Sequence, residues 1–127
     1  MVKVVLDTSV LIEEIRKGSV FLARLATLAE NEKIFLYVPV IVISELWAGE
    51  SMNSVINKRT VIQKIKPFKR IEIDEKIAKK TGELIRCGQC KGFDALIAAC
   101  CIENKAKLAT LNIKDFEKVK ELKIWKS

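Results

Sequence analysis

The segment Val2–Leu6 constrains this chain most: five residues near the start, apolar apart from Lys3, running straight into Asp7. A run apolar on both of its alternating sets has no face to give to water, so it reads as a central parallel strand buried on both sides. Ile34–Val38, Phe68–Ile73, Lys107–Thr110 and Leu122–Trp125 read as further strands. Helical segments lie between them. Asp7-Thr8-Ser9 caps a short helix, Val10–Lys17, that Gly18 stops; Ser19 caps a second, with Leu22, Leu25, Ala26 and Ala29 on one face and Asn31 at its end. Pro39 suits the first turn of a helix Val40–Ala48 closed by Gly49, and Met52–Ile65 is an amphipathic helix stopped before Pro67. Asp74 caps a helix reaching Arg86, Asp94 opens a helix that is apolar on every side, and a short helix covers Lys114–Val119. Strands alternating with helices predict an α/β fold whose parallel sheet is covered on both faces.

The chain of 127 residues is the size of one domain, residues 1–127, with no internal repeat, linker or low-complexity tract. Half of it is apolar and 31% is charged, which excludes a disordered composition. No apolar stretch approaches the ~20 residues of a membrane span. The first strand begins at once and leaves no room for a signal peptide, so a cytoplasmic location is expected. The net charge of +7 and pI of about 9.3 favour polyanionic partners, nucleic acid first and an acidic protein second. The plainer reading is a Lys- and Glu-rich surface of the kind proteins from hot environments carry.

Four cysteines occur, Cys87 and Cys90 in a C-G-Q-C loop and the adjacent pair Cys100 and Cys101 in an apolar helix. Neighbours on a helix point about 100° apart, so the second pair is poorly placed to chelate one ion. A redox C-x-x-C is expected after a first strand at a helix N-terminus, and this one falls late in a loop. Ordinary reduced thiols are the reading, with a Cys87–Cys90 disulfide as the alternative.

Against this background four acids stand out: Asp7, Glu45, Asp94 and Asp115, each at the end of an apolar segment or inside one. Asp7 ends the first buried strand, where open α/β sheets bind ligands, and is equally a helix cap. Glu45 sits among the apolar residues of V-I-S-E-L-W-A and needs a cation or strong donors, unless Ser44 and Glu45 share a solvent face. Asp94 lies at a helix start, where N–H groups and the helix dipole favour its ionised form. Asp115, after T-L-N-I-K, is otherwise a solvated loop residue, with Thr110 and Asn112 nearby. Two carboxylates ~5 Å apart repel by about 3 kcal/mol at an effective dielectric of ~20, so four gathered together imply a divalent cation. The chain has no histidine, which excludes histidine-based acid–base chemistry.

The strings V-V-L-D-T-S-V-L-I, V-I-S-E-L-W-A-G, F-D-A-L-I-A-A and T-L-N-I-K-D-F, in this order and from end to end, resemble the PIN-domain nucleases, and among them the VapC-type toxins of toxin–antitoxin pairs. The resemblance implies a three-layer α/β/α PIN-like fold with a central parallel sheet of about five strands. It implies dependence on Mg²⁺ or Mn²⁺, homodimers, and a small antitoxin that covers the site. The family's catalytic and metal-holding acids fall on Asp7, Glu45, Asp94 and Asp115, with Thr8, Ser9 and Asn112 as accessory polar groups. The loop C-G-Q-C-K-G departs from the family pattern by carrying cysteines.

The expected activity is metal-dependent endoribonuclease hydrolysis of RNA phosphodiesters. Asp7, Asp94 and Asp115 would hold the cation, and Glu45 would orient or deprotonate the attacking water or help bind a second ion. Arg16, Lys17, Lys58, Arg59, Lys91 and Lys114 are the candidates to hold the RNA backbone. Two alternatives remain: a housekeeping RNA-processing nuclease, and an inactive PIN-like module that binds RNA or supports an assembly. A phosphatase would require a second acid where Ser9 stands, and a receiver domain an acidic pair ahead of Asp7; neither is present.

Overall fold

The computed structural model describes residues 1–126. Its chain order is β1 (Val2–Leu6), α1 (Thr8–Lys17), α2 (Val20–Glu30), β2 (Ile34–Pro39), α3 (Val40–Trp47), α4 (Val55–Ile65), β3 (Lys69–Ile71), α5 (Glu75–Arg86), α6 (Gly92–Glu103) and β4 (Lys107–Ala109). Two short 3₁₀ turns, Glu50–Asn53 and Ile113–Phe116, complete it. The strands form one parallel sheet in the order β3-β2-β1-β4, flanked by six helices.

β1 lies in the sheet interior, paired to β2 from Val2 opposite Ile34 and to β4 from Val4 opposite Lys107. Val4, Val5 and Leu6 are fully buried, as a strand with neighbours on both edges and helices on both faces requires. α6 is buried on every side through Ala95, Ile97, Ala98, Ala99, Cys100 and Cys101; small side chains there let α5 and the sheet approach closely. α5 by contrast buries one stripe, Ile77, Thr81 and Leu84, and Asp74 caps it by accepting from the Ile77 N–H at 2.9 Å. Ser19 caps α2 in the same way, accepting from the Leu22 N–H at 3.0 Å.

The sheet has four strands where about five were expected. Leu122–Trp125 contributes a single parallel bridge, Leu108 opposite Ile124, held by Leu108 N–H to Lys123 O at 2.9 Å and Trp125 N–H to Leu108 O at 2.7 Å. β3 is likewise shorter than Phe68–Ile73: its ladder with β2 runs only from Lys69 opposite Tyr37 to Ile71 opposite Pro39. The helix expected over Met52–Ile65 breaks at Ser54, whose hydroxyl accepts from the Asn57 N–H at 3.2 Å, leaving Met52 buried in the preceding 3₁₀ turn. The helix expected over Lys114–Val119 is the 3₁₀ turn Ile113–Phe116. Among the described residues no helix is long and apolar enough to cross a membrane.

Candidate active site

The β1–β4 ladder runs one step past its last strand pair, with the Asp7 N–H donating to Ala109 O at 2.9 Å. That bond fixes Asp7 at the carboxyl end of β1, against Thr110. Asp7 is the N-terminal boundary residue of α1, but its side chain makes no capping bond. Instead its Oδ2 accepts from Ser9 Oγ at 2.8 Å and from Thr110 Oγ1 at 2.7 Å. The two hydroxyls are aimed by the backbone: the Leu111 N–H donates to Ser9 Oγ at 3.0 Å and the Asn112 N–H to Thr110 Oγ1 at 2.9 Å. Asp7 is 3% exposed, so neutral donors hold a buried charge that no cation neutralises among the described residues. Its Oδ1 has no protein donor there.

Glu45, half-buried on α3, is held from the first turn of α1: Thr8 Oγ1 donates to Glu45 Oε1 at 2.6 Å. This single bond ties two helices that leave the same end of the sheet, and it gives Thr8 and Glu45 fixed positions while leaving Oε2 without a protein donor. Asp94 stands in the first turn of α6, whose N-terminal boundary is Lys91 rather than Asp94. Asp115 is exposed on the 3₁₀ turn, where its carbonyl receives the Cys90 thiol at 3.8 Å.

The electrostatics show that the four acids share one neighbourhood. The Asp94 carboxyl is pushed from 3.8 up to about 6, first by burial and then by the negative charges of Asp7, Asp115 and Glu45. The helix N-terminus was expected to keep Asp94 ionised; burial and three like charges outweigh it. None of the four forms an ion pair among the described residues.

The acids are close enough to repel without being drawn into a ready chelate. Among the described residues, no three His, Cys, Asp or Glu side chains stand as a preformed metal-holding group. The donor chemistry nonetheless fits a hard cation: carboxylates and hydroxyls throughout, no sulfur or imidazole ligand in contact with Asp7 or Glu45. Mg²⁺ in particular keeps several waters and needs only one or two direct carboxylates, so it does not require a tight protein cage.

Clefts flank the acids on several sides. Asp94 and Asp115 line one of about 390 Å³ together with Cys90, Lys91, Lys114 and Lys118. A second, of about 480 Å³, runs past Ser9 and Asn112 to Arg16 and Lys17, and a third, of about 350 Å³, joins Arg16 to Glu45. Of the cations expected to hold a backbone, Arg16, Lys17, Lys91 and Lys114 thus line acid-bearing or adjoining clefts, whereas Lys58 and Arg59 lie apart on α4. Lys118 joins them without any signal in the sequence, since the 3₁₀ turn that brings it round reads there as a helix. Asn112 enters through its backbone, and Thr110 supplies the side chain. Cys87 is exposed and Cys90 half-buried, both as free thiols, as are the buried Cys100 and Cys101.

The PIN domain family model matches residues 4–122. The chain belongs to the PIN-domain family. Solved PIN-domain relatives share its fold across nearly their full length. The matching chain of VapBC2 from Rickettsia felis, bound to a promoter DNA fragment, is 27% identical with a TM-score of 0.81, over 98% of this chain and 99% of that one. DNA-bound VapBC from Salmonella typhimurium gives 25% identity and 0.78 over 98% of each chain. VapBC-1 from nontypeable Haemophilus influenzae, at 23% identity and 0.77 over 97% and 96%, shows the same fold. No curated protein matches the chain.

Proposed function

We propose that this PIN domain is the toxin of a VapBC-type pair, a Mg²⁺- or Mn²⁺-dependent endoribonuclease that hydrolyses RNA phosphodiesters. One observation carries the reading: at one end of the sheet burial and the charges of Asp7, Asp115 and Glu45 raise the Asp94 carboxyl to about 6, and among the described residues none of the four acids is paired with lysine or arginine. A fold gains nothing from such crowding, and a divalent cation relieves it. Likeness to VapBC chains over full length supports the toxin assignment.

Asp7, Asp94 and Asp115 are the residues that would hold the cation, directly or through water. When bound, it supplies Lewis-acid polarisation of the phosphate and an activated water. Ser9 and Thr110 keep Asp7 in one orientation by hydrogen-bonding Oδ2, which leaves Oδ1 for the site. Thr8 does the same for Glu45 through Oε1, so Oε2 is the atom assigned to accept the water's proton. Lys91, Lys114 and Lys118 on one side and Arg16 and Lys17 on the other hold the phosphates flanking the scissile bond. Water attack with departure of the 3′-oxygen, the outcome expected by analogy with the family, would leave a 5′-phosphate and a 3′-hydroxyl.

A protein partner fits the same picture. Val20 on α2 and Val55 and Ile56 on α4 expose large apolar side chains, which suits contact with an antitoxin or a second copy of the chain.

The test uses purified protein and structured RNA, with Mg²⁺ or with chelator. Asp7→Asn and Asp94→Asn should each lower cleavage on the order of a hundredfold or more, with the circular dichroism of the fold retained. Full activity in either variant, or cleavage indifferent to chelator, refutes the assignment. A binding-only module would instead retain RNA affinity and show no cleavage under any metal.

A further inference from the structure

At the opposite end of the sheet from the acids, a cavity of about 610 Å³ opens beneath the start of β1 and β4. Four lysines line it: Lys3 from β1, Lys105 from the turn after α6, Lys107 from β4 and Lys123 from the C-terminal segment. None of them is in an ion pair among the described residues. Glu121, the one acid at the rim, is already engaged by Lys80 at 3.1 Å.

Two of the lysines are placed there by the sheet and by the end of α6. Lys3 interrupts the apolar run of the interior strand and is half-buried there without a counter-charge. Lys105 sits at φ 54° as the left-handed residue that ends α6, its N–H donating to Ile102 O at 3.2 Å while the Ala106 N–H donates to Cys101 O at 2.8 Å. That turn places Lys105 on the cavity wall. Between the lysines the wall is apolar, formed by Val2, Ile102 and Ala106.

We propose that this cavity binds a small phosphorylated molecule with a planar or apolar portion, of the nucleotide class. The lysines would take the phosphates and the apolar wall the remainder. A bare phosphate would leave that wall uncovered, and the volume suits a larger molecule. The cavity opens at the far end of the sheet, so a short RNA segment held there would not reach the carboxylates. The site is therefore independent of the nuclease reading and of any metal bound by the acids.

The test is titration of the chain with ATP, AMP and pyrophosphate in chelator, followed by calorimetry and thermal shift. Chelator keeps the acidic end unable to retain polyanions. ATP should bind saturably and more tightly than pyrophosphate, and Lys105→Gln with Lys123→Gln should weaken it tenfold or more. Both lysines are exposed, so the paired change leaves the core untouched, and its melting temperature without ligand checks this. Asp94→Asn should bind ATP as well as the unaltered chain does. Absence of saturable binding, equal affinity in the lysine variant, or loss of binding in Asp94→Asn overturns the proposal. Pyrophosphate binding as tightly as ATP overturns the role of the apolar wall. An RNA oligonucleotide that needs Lys105 and Lys123 when ATP does not bind would reassign the patch to RNA.

Discussion

At Asp94 the crowding of the candidate site is felt by one side chain. Its carboxyl titrates near 6 in the folded protein against an ordinary 3.8, so the folded state binds that proton more tightly than the unfolded state does. The stability this contributes is complete below 3.8 and is lost as the pH rises through about 6. In metal-free buffer the melting temperature of the unaltered chain, measured relative to Asp94→Asn, should fall across that window; a flat difference would show that Asp94 is not crowded. Cleavage should run the other way, rising as Asp94 ionises, and more metal should move its midpoint to lower pH because cation and proton compete. Thr110 offers a second residue-level test. Thr110→Val removes a donor to a buried carboxylate and should cost about 1.5–3 kcal/mol in denaturant unfolding. Cleavage should drop roughly 10–100-fold through the lost orientation of Asp7. Of this site the acids were legible, because carboxylates in apolar runs are conspicuous. The hydroxyl from Thr110 was visible as a neighbour of the site but not as the group that grips Asp7. That contact spans 103 positions, and no local pattern encodes it.

At the level of elements, periodicity and capping residues located all six helices, and the errors sit where short-range chemistry competes with a longer pattern. Ser54 inside an amphipathic stretch is as good a cap as Ser19 outside one, so the stretch became a turn and a helix. Leu122–Trp125 has strand composition yet forms one bridge, Leu108 opposite Ile124, beside β4 at the edge of the sheet. The capping contribution can be measured. Ser19→Ala leaves the Leu22 N–H without its acceptor in a buried turn and should destabilise by about 1 kcal/mol, seen as a lower denaturant midpoint at unchanged slope. No change would mean that water or a shifted backbone replaces the hydroxyl.

For the molecule as a whole the net charge is +7, and four lysines and Arg16 border the cluster of acids on two sides. A polyanion is attracted from a distance and meets repulsion at the centre unless a cation is there. Cleavage at limiting RNA should therefore fall on the order of tens-fold between about 50 and 200 mM salt, as expected for about four phosphate contacts to a single strand. Salt-independent rates would remove the cationic borders from the mechanism. The parallel α/β architecture was readable from alternating segments, whereas the clefts were not, since they depend on how turns between elements fold back.

The bond between Thr110 and Asp7 also sets an order of events. The candidate site at the end of β1 is complete only once residue 110 has arrived, so a nascent chain that has not reached it carries its first acid without the hydroxyl that aims it. A chain cut before β4 would keep the segments of all six helices and still lack the hydroxyl that orients Asp7.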